Sequence, residues 1–293
     1  MTFLKTVGSI TDPAELNNVV GFKPTRGLVA TDSVIPISKR QDVIGTLTVT
    51  VKDAAHLLTI MAGRSEKDDR TWNIPLEPFY DFTRFCSKDA NLKNITIGIP
   101  RNTFGDDVPA PILTSFESAL DTLRSAKARI VDNANFKGAE EFKRLNAKVK
   151  GVVRSSEYNR DMNAYVATLE SNPNNIKSVG DIIAFTKSDP REEYPKRDIG
   201  KFLWTQEKGI DVNSAKYKEM VNQELYFGGE GGILGAMQEH QLDILAVPST
   251  SGIAIDLAAK MGFPVITVPL GFWPAGTSVQ EKDGLVKRAP GIP

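Results

Sequence analysis

The sequence predicts an α/β fold, and three consecutive segments support that class. Residues 95–99 alternate between apolar and small polar residues, as a strand does, and end at Pro100. Residues 111–128 place apolar side chains at helical spacing. Residues 128–131 then form a second short strand. A strand, a helix and a strand in this order make one β–α–β unit, which favours parallel strands.

The first third of the chain is predicted to be loop-rich with one clear helix. Residues 1–50 contain only short apolar pieces separated by Pro, Gly and Asp. Residues 50–63 place apolar side chains at positions i, i+3, i+4 and i+7. Thr50 with Asp53 gives the capping pattern at the start of this helix, and Gly63 provides its stop. Residues 64–93 are predicted to form a surface loop followed by a short helix.

The second half of the chain is predicted to be mainly helical, with two further strands near its end. The interpreted elements are, in order: helices over 139–170 and 177–186, a long polar connection over 187–212, helices over 213–240 interrupted by GGEGG at 228–232, a buried strand over 242–248, a helix over 251–262, a buried strand over 264–269, and a loop after 271.

Composition excludes several functional classes. The chain has 293 residues and equal numbers of basic and acidic side chains, 36 of each, which argues against a broad surface for nucleic acid or anionic membrane. Its single cysteine, Cys86, cannot form an intrachain disulfide and fits a reducing compartment. With two histidines besides, a Cys/His zinc site is excluded. No window approaches the about 20 apolar residues of a membrane span, so we expect a cytoplasmic protein.

Two gap-free motifs near the beginning carry a family resemblance. They read VGSITDPAELNNVVGFKPTRG and QDVIGTLTVTVKDAAHLLTIMAG. The amidase signature family has G-G-S-I-R-x-P-A, then G-V-V-G-x-K-P-T-x-G, then D-x-x-G-P-x-A-R-T-V-x-D-A-A, in the same order and spacing. Residues 8–63 therefore resemble this family, which includes fatty acid amide hydrolase and bacterial and fungal amidases. The segments LDILAVPS and GFPVITVPLGFWPAGT resemble its later strands.

The resemblance implies a fold and an activity. The implied fold is a mixed, twisted β-sheet covered by helices on both faces, here as a single domain over 1–293 that is incomplete. We expect it to lack the N-terminal base segment and the last C-terminal strand. The implied activity is hydrolysis of the C–N bond of a small-molecule amide through a serine acyl-enzyme, with no metal and no cofactor. An uncovered sheet edge would favour association, so we expect that the chain can form a homo-oligomer.

The resemblance assigns the nucleophile to Ser9. The family activates this serine with a lysine that acts through a second serine, and both lie upstream. Only eight residues precede Ser9 here; none is a serine, and Lys5 occupies the family's Asp position rather than that of the base. The implied oxyanion hole consists of the backbone N–H groups of Thr6, Val7, Gly8 and Ser9. Phe272 and Trp273 would form an apolar wall of the substrate pocket.

Departures from the family pattern leave two functional interpretations open. Val7 replaces a glycine, Thr11 and Val49 replace arginines, and Thr46 replaces a proline. The first interpretation is an amidase that uses Ser9, with weak activity expected because the base and the second serine are not found upstream of Ser9 in these residues. The alternative is a catalytically inactive, truncated amidase-like protein with a binding role or none, in which Ser9 only caps a turn through the common Ser-x-x-Asp pattern.

Overall fold

The computed structural model describes residues 2–75, 80–87, 91–105, 108–248, 252–282 and 284–293. The helices are α1 (Thr11–Leu16), α2 (Val51–Met61), α3 (Ala110–Ser125), α4 (Ala139–Arg144), α5 (Ala147–Val166), α6 (Val179–Ser188), α7 (Gly200–Lys208), α8 (Ala215–Gly228), α9 (Ile233–His240) and α10 (Ile253–Met261). The strands are β1 (Thr2–Lys5), β2 (Val20–Lys23), β3 (Val43–Thr48), β4 (Thr96–Ile99), β5 (Arg129–Asp132), β6 (Ile244–Leu245), β7 (Val265–Thr267), β8 (Gln280–Lys282) and β9 (Leu285–Arg288).

The α/β class is confirmed, with both antiparallel and parallel strand pairs. One sheet has the order β1-β3-β2-β7 and is antiparallel throughout. A second has the order β5-β4-β6 and is parallel. Strands β8 and β9 form a separate antiparallel pair. In the described part of the chain, β7 and β6 are therefore edge strands of two different sheets.

The predicted β–α–β unit is confirmed as β4, α3 and β5. Strand β4 pairs with β5 in parallel, with Ile97 opposite Ile130. The apolar face of α3 presents Phe116 and Leu120, which are buried against Ile97 and Ile99 of β4. Burial of these side chains explains why a sixteen-residue helix crosses back over the short parallel pair.

The predicted helix over 50–63 is confirmed as α2. The Thr50 hydroxyl accepts a hydrogen bond from the backbone N–H of Asp53 at 3.1 Å, which satisfies one of the free donors at the helix start. Leu58 is buried against Leu28 and Val29, so the apolar stripe of α2 faces the loop-rich N-terminal segment. This packing holds the first third of the chain together.

Residues 187–212 are not the long polar connection that the sequence predicts, because α7 lies within them. The Asp198 carboxylate accepts from the Gly200 N–H at 2.7 Å and starts the helix. Phe202 of α7 stacks on Tyr158 of α5 with ring centroids 5.9 Å apart. Tertiary contact with α5 thus stabilises a helix whose own sequence is polar.

Two further expectations are wrong at the end of the chain. The loop predicted after residue 271 contains the β8–β9 pair. The strands predicted to be buried are short and exposed: β6 has two residues and β7 three, and Ile244 and Ile266 are each about half exposed. An apolar run in the sequence is typical of a strand that is buried on both faces. It does not show whether the described residues bury that strand.

Candidate active site

Ser9 lies on an exposed turn that leads from β1 into α1. The residue after it, Ile10, is completely buried, and so is Ala14 one turn later. The Asp12 N–H donates to the Gly8 carbonyl at 2.8 Å, and the Ala14 N–H donates to the Ile10 carbonyl at 3.2 Å. Burial of its neighbours therefore fixes the turn, while the Ser9 side chain stays accessible to solvent.

The buried carboxylate of Asp42, the residue just before β3, holds this turn in place. The Thr6 hydroxyl donates to Asp42 Oδ1 at 2.6 Å. Asp42 Oδ2 accepts from the backbone N–H groups of Ile37 and Ser38 at 2.8 and 3.0 Å. Burial raises the pKa of Asp42 above its ordinary value, and these three hydrogen bonds only partly oppose that rise. Asp42 thus fixes the backbone from which the implied oxyanion hole would be built.

A glycine is required at position 8 because the Asp12 carboxylate approaches its α-carbon closely, and not because of its backbone conformation. A Cβ atom at Gly8 would lie 2.0 Å from Asp12 Oδ2, so the Asp12 carboxylate packs directly against the Gly8 α-carbon. Neither Gly8 nor Val7 has a positive φ. The valine in place of a family glycine is therefore free of left-handed strain at that position.

In the described part of the chain, no side chain forms a hydrogen bond with the Ser9 hydroxyl. The side chain of Lys5 lies outside what the structure describes. Lys23 is completely buried, and its Nζ donates to the Phe263 carbonyl at 2.6 Å and to the Pro24 carbonyl at 3.3 Å. These contacts hold Lys23, the lysine of the GFKPT motif, inside the fold.

A groove of about 970 Å³ contains the predicted pocket wall but not Ser9. Phe272 and Trp273 line it, together with apolar residues of α3, α9, β6 and β7. The Arg288 guanidinium stacks over the Trp273 ring at 4.4 Å. The groove reaches α1 at Glu15 and Leu16, whereas Ser9 precedes the other end of that helix. The groove that contains the predicted wall therefore reaches the C-terminal end of α1, and Ser9 is not among the residues that line it.

A family model described as Amidase matches residues 5–276, which is most of the chain. The chain belongs to the amidase family.

Curated and solved members of the amidase family cover this chain almost completely. A protein of Arthroderma benhamiae named "Putative amidase" is 37% identical over 99% of the chain and 48% of its own length. The X-ray structure of native peptide amidase from Stenotrophomonas maltophilia is 29% identical with a TM-score of 0.78, covering 93% of this chain and 55% of that one. An amidase family protein of Bacillus anthracis has a TM-score of 0.75 at 25% identity, covering 92% of this chain and 50% of that one. The chain therefore spans about half the length of the amidases it matches.

Two residues that contact the turn carrying Ser9 were not predicted to do so from the sequence. The amidase motif D-x-x-G marks Asp42 as a scaffold match, but not as the partner of Thr6 thirty-six residues earlier. Asp12 stands at a variable motif position, and its approach to Gly8 depends on the first turn of α1.

Within the described ranges, no three His, Cys, Asp or Glu side chains lie close enough to hold a metal ion. None of the described helices has both the length and the apolar character needed to cross a bilayer.

A buried ionic network ties the segment that contains Ser38 and Arg40 to helices α5 and α8. Glu157 of α5 is completely buried and accepts from the Ser38 hydroxyl, from Arg40 Nε at 2.7 Å and from the Tyr217 hydroxyl at 2.7 Å. Arg40 also pairs with Glu224 of α8. Ser38 therefore links the turn to the network. Its backbone N–H donates to Asp42, and its hydroxyl donates to Glu157.

Tyr217 in this network is expected to titrate well above an ordinary tyrosine. Burial, followed by its hydrogen bond to Glu157, raises the pKa of Tyr217 to about 12. The unfolded value is near 10, so the folded state holds this proton more tightly. The stability it contributes is complete below pH 10 and is lost as the pH rises to about 12.

The measurement is the ultraviolet absorbance of phenolate during a pH titration. The difference between the wild-type curve and that of Tyr217→Phe should have its midpoint near pH 12. A difference curve centred on pH 10 would show that Tyr217 is neither buried nor hydrogen-bonded to Glu157 as the structure places it.

Proposed function

We propose that this chain is an amidase-type hydrolase that cleaves the C–N bond of a small-molecule carboxylic amide through an acyl-enzyme on Ser9. The observation that carries the proposal is the exposed Ser9 on a turn anchored by Asp42, at the motif position of the family nucleophile. Membership of the amidase family supports the reaction class. No cofactor is required for this chemistry.

The chemistry assigns a role to each part of the turn. Ser9 Oγ attacks the amide carbonyl carbon and gives its proton to a base, while backbone N–H groups of residues 6–9 stabilise the developing oxyanion. The C–N bond then breaks, and the nitrogen leaves with a proton. Water attacks the resulting ester and releases the acid and Ser9.

One observation favours a second candidate, an amidase-like protein that is not catalytic. In the described part of the chain, the Ser9 hydroxyl has no hydrogen-bonded base. A serine hydroxyl without a base is a poor nucleophile, and loss of one triad member costs a factor of about 10³ or more. Such a protein would keep the scaffold and act by binding.

Fluorophosphonate labelling separates the two candidates. We expect the probe to modify Ser9, and mass spectrometry of the digested chain should place the adduct there. Ser9→Ala should abolish labelling, whereas Ser118→Ala, an exposed serine on α3, should leave it unchanged. Absence of an adduct on wild-type Ser9 under conditions that label a reference amidase would reject the hydrolase and favour the non-catalytic candidate.

We also propose a cytoplasmic location. The proposal is supported by the free Cys86, which fits a reducing compartment. Fractionation of cells that express the tagged chain tests the location, and recovery in a secreted or organellar fraction would contradict it.

A further inference from the structure

Helix α5 holds one short segment of the chain with two buried carboxylates. Glu157 and Asp161 lie four positions apart, on one face of the helix, and both are almost completely buried. Glu157 Oε2 accepts from the Ser38 hydroxyl, and its Oε1 accepts from Arg40 Nε at 2.7 Å. Asp161 Oδ2 accepts from the backbone N–H of Lys39 at 2.7 Å. These three consecutive residues are therefore fixed to one face of α5.

The same segment is hydrogen-bonded, through Asp42, to the turn that carries Ser9. The Ser38 N–H donates to Asp42 Oδ2 at 3.0 Å, and the Thr6 hydroxyl donates to Asp42 Oδ1 at 2.6 Å. Thr6 lies three residues before Ser9, and its N–H belongs to the implied oxyanion hole. Ser38, Asp42 and Thr6 are all buried, so water does not compete for these hydrogen bonds. A path of buried polar groups thus joins α5 to the turn.

The charges along this path favour geometry over stability. Burial raises the pKa of Asp42, and the nearby charge of Asp161 raises it further. Taking carboxylates out of water costs free energy that their partners do not fully return. A fully hydrogen-bonded buried network does fix a single arrangement of its groups. Such precision matters most at a nucleophile, where a displacement of about 1 Å lowers the rate about 10²-fold.

We propose that Glu157 and Asp161 are positioning residues for the reaction at Ser9. They act through the hydrogen bonds of Ser38 and Asp42, and they keep the backbone N–H groups of the turn in the geometry that stabilises an oxyanion. Neither carboxylate takes up or gives a proton in this role. The inference rests on the proposed amidase function, since it names what holds that same site in place.

The variant Ser38→Ala cuts the path at its middle. It removes the hydroxyl that binds Glu157 and keeps the backbone N–H that binds Asp42. We expect the rate of fluorophosphonate labelling at Ser9 to fall by about tenfold or more. The rates are measured at a temperature at which circular dichroism shows every variant to be folded.

Ser156→Ala is the matched control. Ser156 also lies on α5 and is similarly buried. Its hydroxyl donates to the Val152 carbonyl and accepts from the Ile210 N–H, both at 2.9 Å, and it does not contact the path. This variant therefore loses buried hydrogen bonds of the same kind, and it should be labelled at the wild-type rate.

Two variants of Asp161 separate its hydrogen bond from its charge. Asp161→Ala removes the acceptor for the Lys39 N–H and should also slow labelling by about tenfold. Asp161→Asn keeps an oxygen for this N–H and should restore most of the rate. Equal slowing in the alanine and asparagine variants would show that the acceptor does not position the turn. This pair also keeps the proposal testable if Ser38→Ala fails to fold.

A double-variant cycle shows whether the effect runs along the path. Thr6→Val removes the hydrogen bond to Asp42 at the other end. In this background Ser38→Ala should change the labelling rate little, because the path is already cut, although it should still lower the melting temperature. Equal slowing by Ser38→Ala in both backgrounds would overturn the proposal.

Hydrogen exchange, read by mass spectrometry, measures the positioning without any chemistry. Peptides that cover residues 6–16 should exchange faster in Ser38→Ala than in Ser156→Ala, while peptides from α3 should not change. If wild-type Ser9 takes no label, the proposed hydrolase is rejected, and exchange alone decides whether α5 holds the turn. Equal exchange of the turn in the two serine variants would overturn the proposal.

Discussion

Replacement of Lys260 by methionine is expected to destabilise the fold by about 3–5 kcal/mol. Lys260 of α10 is almost completely buried, and its Nζ donates to Glu224 Oε1 at 2.6 Å and to the Lys150 carbonyl at 2.8 Å. Removal of the ammonium leaves Glu224 Oε1 without its charged donor in a nearly dry environment. Arg40, which holds the other oxygen of Glu224, compensates only part of the charge.

Urea unfolding monitored by circular dichroism measures the loss. Lys216→Met is the matched control, because Lys216 pairs with Glu219 at 3.0 Å while both side chains are largely exposed. Such surface pairs contribute about 0–1 kcal/mol. The double variant Lys260→Met, Glu224→Leu should recover much of the stability, since it removes both buried charges together. Equal effects of Lys260→Met and Lys216→Met would show that the buried pair is not formed.

Replacement of Gly45 by alanine is expected to destabilise the antiparallel sheet by about 1–3 kcal/mol. A Cβ atom at Gly45 would lie 2.2 Å from the Phe22 carbonyl oxygen on β2 and 2.7 Å from Ile10 Cδ1. The first contact forces the paired strands apart. The second displaces Ile10, the buried neighbour of Ser9, so we also expect slower labelling of Ser9 in this variant.

Thermal unfolding of Gly45→Ala should be compared with that of Gly63→Ala. Gly63 follows α2, does not have a positive φ, and would have nothing within 4 Å of a new Cβ. Its replacement should change the free energy of unfolding by less than about 0.5 kcal/mol or slightly increase it. If the two variants melted together, the close approach of β2 and β3 at Gly45 would be disproved.

The local elements could be predicted where the sequence carries its own signals. Helix α2 combines an apolar stripe with the Thr50 cap, and α3 lies between two short strands. Helix α7 could not be predicted, because its stability depends on stacking of Phe202 on Tyr158, forty-four positions earlier. The exposure of β6 and β7 could not be predicted from the sequence either, because an apolar run does not show whether another segment packs on it.

The sequence by itself determined the α/β class, the amidase family and the candidate nucleophile Ser9, because gap-free motifs constrain local backbone and identity together. Only the tertiary structure decided how that turn is held. Its anchor is the Thr6–Asp42 hydrogen bond, its close contact is Asp12 against Gly8, and its support is the buried charge network around Glu157. It also placed Phe272 and Trp273 in a groove that Ser9 does not line. Each of these contacts joins groups that lie far apart in the sequence or that the folded backbone brings together. Their distances could therefore not be predicted from the sequence motifs.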